Sequence, residues 1–142
     1  MEEEKLDYGS VSAPVKVGDT VHRQAGPWTP TIHNLLNHLQ SKDFSYSPKV
    51  LGFDEKGREV LEFLSGDAAV RPWPSQLLGD DGVMRAAAML KQYHEIVRYF
   101  QSPQNAEWRI GKVQPKPGQI IRHGDLGPWN TLWQNGKLTG LI

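Results

Sequence analysis

Residues 123–130 read His-Gly-Asp-Leu-Gly-Pro-Trp-Asn, and this stretch decides how the rest of the chain is interpreted. Asp125 and Asn130 stand five positions apart in it. This spacing suits phosphoryl transfer, in which a carboxylate orients an attacking hydroxyl and an amide oxygen reaches a magnesium ion. Two glycines and a proline supply the turns that would aim both side chains inward. The stretch therefore predicts a catalytic loop.

The segments on either side of this loop fix its place in the fold. Residues 119–122 predict a strand before it, and Asn135-Gly136 between apolar runs predicts a hairpin after it. The far strand, residues 138–142, would return the chain to the loop. In kinases the next position along is an aspartate that chelates magnesium.

Upstream, alternating residues around Gly18-Asp19 predict a hairpin over residues 15–23. Thr29-Pro30 predicts a helix start, with Thr29 as its N-cap, and apolar residues follow at helical spacing. Further elements are predicted in order: strands over residues 49–53 and 58–64, a connector over 65–82, and a helix over 83–101 with Val83, Ala87, Leu90, His94 and Val97 on one stripe. Residues 1–12 are predicted to be a weakly held lead-in.

This order predicts an α+β fold with three regions. Residues 1–64 would form a small lobe, an antiparallel sheet plus a helix, as in protein kinases. Residues 65–82 would form a hinge or connector. Residues 83–142 would form part of a large lobe, namely its first helix and the catalytic hairpin.

Composition excludes several classes of protein. Lys+Arg and Asp+Glu both number 16, and this balance argues against nucleic acid as a partner. The absence of cysteine excludes disulfides and thiolate metal sites. The first residues are acidic where a signal peptide would be basic, and no apolar run approaches the ~18 residues of a membrane helix. These features predict a cytoplasmic chain with no membrane partner.

Residues 122–131 together with 138–142 resemble the catalytic segment of the aminoglycoside phosphotransferase and choline kinase-like family. Upstream stretches that resemble the same family are residues 17–23, 26–30, 50–54 and 59–66, and Leu90, Tyr93 and His94. The resemblance implies ATP-dependent phosphoryl transfer, with ATP or GTP and Mg²⁺ as cofactors and a small-molecule hydroxyl as acceptor. It leaves the acceptor itself open.

The resemblance also implies roles for individual residues. Asp125 would be the catalytic base, His123 would brace the loop, and Asn130 would bind magnesium. Glu62, Phe63 and Leu64 would form the hinge that holds adenine, and Arg23 would contact the nucleotide phosphates.

The chain departs from the family pattern in ways that keep other interpretations open. Gly9 and Gly18 stand alone, so no glycine-rich phosphate loop is evident, and residues 1–142 do not reach the position at which such families have their Asp-rich metal motif. A truncated kinase and a catalytically inactive remnant that binds nucleotide or protein are both compatible with this. An incomplete large lobe would expose apolar surface on the Val83 helix and the final hairpin, and would favour self-association.

Each of these residues also has a structural interpretation. Asp125 and Asn130 could be ordinary turn formers, and Arg23 a surface arginine. His33 and His38 lie five apart on a helix, a spacing that does not suit a shared metal ion, and are predicted to be solvated. His94 is predicted to be a hydrogen-bonded core histidine.

Overall fold

A computed structural model describes residues 1–7 and 12–142 of the chain. The described residues form an α+β protein with antiparallel sheets, three α-helices and one 3-10 helix. In chain order the elements are β1 (Glu4–Lys5), β2 (Val15–Val17), β3 (Thr20–Arg23), α1 (Thr29–Ser41), β4 (Val50–Phe53), β5 (Glu59–Glu62), β6 (Asp67–Ala68), α2 (Ser75–Leu78), α3 (Asp80–Val97), the 3-10 helix (Pro128–Asn130), β7 (Thr131–Gln134) and β8 (Lys137–Leu141).

The chain divides into two compact units, each made of several segments. The first unit contains residues 1–37, 48–63 and 101–114, and the second contains residues 38–47, 64–100 and 115–142. The first holds strands β1 to β5, and the second holds α2, α3 and strands β6 to β8.

The first unit is built on a five-stranded antiparallel sheet in the order β1-β2-β3-β5-β4. The predicted hairpin of β2 and β3 is confirmed, with Val15 opposite His22 and Val17 opposite Thr20. Strands β4 and β5 are also confirmed, and each begins one residue later than predicted. The lead-in prediction is wrong in part, because Glu4–Lys5 pairs with β2 as an edge strand. Gly9 lies outside the described residues.

Helix α1 confirms the prediction made from Thr29-Pro30, but Thr29 plays a different part. It is the first helical residue, and its hydroxyl accepts the Gly26 backbone N–H at 2.9 Å instead of capping an amide further along the helix. The preceding turn is thereby tied to the helix start. The apolar face of α1 buries Leu35 and Leu39.

The core of the second unit consists of one face of α3 and the β7–β8 hairpin. Helix α3 begins at Asp80, within the predicted connector, and buries Gly82, Met89, Tyr93 and Val97. The predicted stripe is therefore wrong at Val83 and Ala87, which are exposed. The helix carries apolar residues on two faces, and the pattern alone does not distinguish the buried face from the exposed one.

The β7–β8 hairpin is confirmed, and its turn has the predicted chemistry. Asn135 and Gly136 both have positive φ, as a two-residue turn of this kind requires. Leu132, Trp133, Leu138 and Leu141 of the hairpin are buried. Strand β6 pairs with β7 and so extends the hairpin to three strands, although its residues were predicted to be part of a connector.

The strand predicted over residues 119–122 does not form. The Ile121 carbonyl instead accepts a hydrogen bond from the Tyr93 hydroxyl at 2.9 Å. Burial raises the pKa of Tyr93 to about 12, and the neutral hydroxyl is the donor. The segment is thus held by a side chain of α3 and not by a neighbouring strand.

Candidate functional site

The candidate site is the loop formed by residues 123–130, which we call the 123–130 loop, in the second unit. It enters β7 through the 3-10 helix Pro128–Asn130. The structure brings His123, Asp125 and Asn130 together in this loop, as the sequence predicts.

His123 fixes the start of the loop. Its Nε2 lies 2.9 Å from the carbonyl oxygen of Ile142, and its Nδ1 lies 3.3 Å from the backbone nitrogen of Asp125. A carbonyl only accepts and an amide N–H only donates, so Nε2 carries the proton and Nδ1 accepts. His123 thus braces the loop against Ile142, the residue that follows β8.

Asp125 is exposed and is surrounded by neutral donors. Its Oδ2 accepts from the side chain of Asn130 at 3.0 Å and from the indole N–H of Trp129 at 3.4 Å. Among the described residues, no basic side chain forms an ion pair with this carboxylate. Its charge is therefore left available to an outside group.

The loop presents two apolar side chains, Trp129 on the 3-10 helix and Leu126 two residues before that helix. Trp129 is 46% exposed and Leu126 is 42% exposed. A Cβ at Gly127 would overlap the Trp129 ring, so glycine permits the indole to fold over the turn. The Thr131 hydroxyl donates to the Pro128 carbonyl at 2.6 Å, and this bond joins the first residue of β7 to the first residue of the 3-10 helix.

The other predicted site residues lie elsewhere. Arg23, Glu62 and Phe63 belong to the first unit, and Leu64 belongs to the second. The backbone N–H of Phe63 donates to the Asp19 carbonyl at 3.0 Å, and that of Glu62 donates to the Lys49 carbonyl at 2.9 Å. These two amides of the predicted hinge are therefore hydrogen-bonded within the first unit.

Arg23 takes part in a buried ionic cluster that sequence reasoning missed. Its Nε donates to Glu59 Oε1 at 2.5 Å, and His33 Nε2 lies 2.9 Å from Glu59 Oε2. The Glu59 side chain is only 3% exposed. The prediction that His33 is solvated is wrong, because this carboxylate and the Phe53 ring cover it. His38 is likewise bonded, through Nε2 to the Ile96 carbonyl at 3.0 Å.

The alternating burial pattern of β5 indicates that Glu59 is buried. In β5 the buried positions are Glu59 and Leu61, two residues apart and so on one face of the sheet. The same alternation that places Leu61 in the core also places the carboxylate there.

A second ionic network ties β3 to the β4–β5 turn and the N-terminus. Asp54 Oδ2 lies 2.8 Å from His22 Nδ1 and 2.7 Å from Arg58 Nε. The His22 hydrogen bond, with help from Arg58, holds the pKa of Asp54 well below its usual range. Hydrogen bonds from Arg58 and Lys56 lower the pKa of Glu3 to about 2.

Neither ionic cluster nor the 123–130 loop resembles a metal centre. The described part of the chain holds no group of three or more His, Cys, Asp or Glu side chains placed to bind a metal ion. In the loop, Asn130 turns its NH₂ group toward Asp125, and this leaves one carboxylate and one amide oxygen as donors. Binding of ATP or GTP with Mg²⁺ stays a prediction. Each helix among the described residues is too short or too polar to cross a membrane.

Comparison with known proteins gives one informative similarity. The chain is 34% identical to the trifolitoxin immunity protein of Rhizobium leguminosarum bv. trifolii over an alignment that covers 96% of this chain and 52% of that protein. The chain thus spans about half the length of the curated relative that it matches. No family model matches the chain, and no solved structure matches it.

This similarity corrects the functional interpretation of the sequence. The resemblance to aminoglycoside phosphotransferases is contradicted, because the curated relative is named as an immunity protein and no phosphotransferase family model matches. The predictions of kinase activity and of ATP-dependent transfer to a small molecule fail with it. A five-residue offset between an aspartate and an asparagine is a short pattern with a high rate of chance matches.

Proposed function

We propose that this chain takes part in immunity to a toxin of the trifolitoxin type. The observation that carries the proposal is the 34% identity over 96% of the chain to a trifolitoxin immunity protein. The similarity covers 96% of the chain and so includes both compact units.

The 123–130 loop is the surface that we propose for contact with the toxin. Tryptophans at the centre of a contact patch contribute strongly to binding, and Trp129 and Leu126 of this loop are both nearly half exposed. Asp125 adds a negative charge that no described basic residue neutralises. The surface suits a toxin segment that pairs a cationic group with apolar side chains.

Protection of a sensitive strain tests the proposal directly. The chain is expressed in a trifolitoxin-sensitive strain, and growth is measured over a dilution series of trifolitoxin. We expect the chain to raise the concentration of toxin that inhibits growth. Equal inhibition with and without the soluble, folded chain would contradict the immunity function.

Substitutions in the 123–130 loop test the proposed contact surface separately from the immunity function. Trp129→Ala and Asp125→Asn should reduce protection, while Tyr99→Ala should leave it unchanged. Tyr99 is a suitable control because it is an aromatic residue that is 72% exposed and lies outside the loop. Circular dichroism of each variant checks that the fold is retained. Full protection by the Trp129→Ala variant would place the contact surface elsewhere.

A further inference from the structure

A tight turn in the first unit presents an isoleucine to solvent. Trp108 and Gly111 exchange two backbone hydrogen bonds, at 3.0 and 2.9 Å, so that Arg109 and Ile110 form the tip between them. Gly111 has a φ of 110°, a conformation that residues with a side chain rarely adopt, and it closes the turn. Ile110 is 85% exposed at this tip. Two backbone hydrogen bonds thus fix a large apolar side chain in water.

The base of this turn is anchored in the first unit. Ala106 and Trp108 are buried, and the backbone N–H of Glu107 donates to the Thr31 hydroxyl on α1 at 3.1 Å. The tip cannot fold back over the protein without breaking these contacts. The exposure of Ile110 is therefore a property of the fold.

The cations at this tip have no acidic partner. Residues 108–124 contain four Lys or Arg and no Asp or Glu, in a chain whose net charge is zero. Arg109 and Lys112 are exposed, and neither forms an ion pair with another described residue. The Arg109 guanidinium lies over the Trp28 ring, 4.6 Å from its centre, and stacking leaves its N–H groups able to donate at the edge. Both charges are therefore available to an anionic partner.

The mixture of cations and apolar side chains at a convex tip suits an anionic lipid surface. Val113 is 44% exposed and adds a second apolar side chain next to Lys112. A single exposed apolar residue is common on protein surfaces, but here two of them alternate with unpaired cations. At a bilayer interface, apolar side chains enter the acyl boundary while Lys and Arg stay with the phosphates.

Nucleic acid is the other polyanion that such cations could bind. Proteins that bind single strands rely on exposed aromatic rings on which bases stack. In this turn Trp108 is buried, and Trp28 already carries Arg109 on one face. The aromatic residues near the tip therefore favour lipid over nucleic acid.

We propose that Arg109, Ile110, Lys112 and Val113, which we call the cationic tip, bind the surface of an anionic phospholipid bilayer. Such a contact is peripheral and needs no spanning helix. It differs from the sequence-based expectation of no membrane partner, which depended on the lack of a basic leader and of a long apolar run. The cationic tip lies outside the 123–130 loop, and the proposal does not depend on the immunity function.

Co-sedimentation with vesicles tests the proposal. The chain is mixed with vesicles of phosphatidylcholine and phosphatidylglycerol in equal parts, and separately with vesicles of phosphatidylcholine alone. Lipid is raised to about 10 mM, so that binding weaker than the ~10⁴ M⁻¹ of one myristoyl chain is detected. We expect the chain to sediment with the anionic vesicles and not with the neutral ones. Binding should fall as salt is raised from about 0.05 to 0.5 M, because salt screens the cations.

Variants of the cationic tip separate its apolar and charged parts. Ile110→Ser should weaken binding to the anionic vesicles by about tenfold, and Lys112→Gln by about fivefold. Leu51→Ser and Lys49→Gln are the matched controls and should bind as the wild type does. Leu51 is 55% exposed, Lys49 is also exposed, and both belong to the first unit outside the cationic tip.

Several outcomes overturn the proposal. The chain may not be a lipid binder at all if none sediments with anionic vesicles at the highest lipid concentration. Equal binding to neutral vesicles would exclude a role for the cations, and unchanged binding by Ile110→Ser would exclude insertion of the tip. A loss in Leu51→Ser as large as in Ile110→Ser would place the contact at β4. Tighter binding to a single-stranded oligonucleotide than to vesicles, weakened in Lys112→Gln, would assign the cations to nucleic acid.

Discussion

Asn130 donates to two oxygens of Asp125, the main-chain carbonyl at 2.7 Å and the carboxylate Oδ2 at 3.0 Å. A side-chain amide has only two N–H groups, so the NH₂ of Asn130 is fully used inside the loop. One side chain therefore closes the turn and orients the carboxylate beside Trp129. The five-residue offset seen in the sequence has a structural cause that does not depend on any catalytic role.

Asn130→Ala should destabilise the protein by removing this closure. Net hydrogen-bond contributions near 1 kcal/mol lead us to expect a loss of about 0.5–1.5 kcal/mol in the free energy of unfolding, measured in urea. Asn105→Ala is the matched control, since Asn105 is an exposed loop asparagine. If both variants unfold at the same urea concentration, the contacts with Asp125 do not stabilise the loop.

The two tryptophans that flank Thr131 should respond very differently to truncation. Trp133 is 1% exposed in the core of the second unit, whereas Trp129 is 46% exposed. Trp133→Ala should cost about 3–5 kcal/mol because it leaves a large cavity. Trp129→Ala should change stability by no more than about 0.5 kcal/mol. A Trp133→Ala variant as stable as Trp129→Ala would contradict the burial of the hairpin.

The sequence predicts the local elements of this fold well, because the signals for them are local. The Asn135-Gly136 turn and the Thr29-Pro30 helix start are examples, since each depends on backbone preferences of a few residues. The strand predicted over residues 119–122 fails for a tertiary reason. The Tyr93 hydroxyl, 28 positions before Ile121, donates to the Ile121 carbonyl, which in a sheet would accept from a neighbouring strand.

The candidate site was predicted only in part. The loop geometry of His123, Asp125 and Asn130 follows from short spacings and is present in the structure. The function of the loop does not follow from those spacings, because the same contacts can stabilise either a binding turn or a catalytic loop. Glu59 was missed because its partners, Arg23 and His33, lie 36 and 26 positions away.

Glu59 should be the most sensitive charged position of the first unit. Glu59→Ala leaves Arg23 and His33 without the buried carboxylate that they share. Removal of one member of a buried ionic cluster typically costs about 3–5 kcal/mol. Thermal or urea unfolding measures the effect, and Glu62→Ala on the same strand is the control, since Glu62 is only partly buried. A smaller loss for Glu59→Ala than for Glu62→Ala would show that the cluster does not stabilise the sheet.

Acid should weaken the first unit through Glu3 and Asp54. Both carboxyls have a pKa lowered by folding, to about 2 for Glu3, against unfolded values near 4. A carboxyl of this kind stabilises the fold at pH values above its unfolded pKa, and the contribution is lost as the pH falls through the folded pKa. We therefore expect the urea midpoint to fall steadily from about pH 5 to pH 2.

Two variants and a control test this prediction. Glu3→Gln and Asp54→Asn should each lower the midpoint at pH 7 and make its fall with pH shallower. Glu55→Gln, in the same turn as Asp54, should reproduce the wild-type profile. A wild-type midpoint that does not change over this range would mean that the ion pairs of Glu3 and Asp54 contribute nothing to stability.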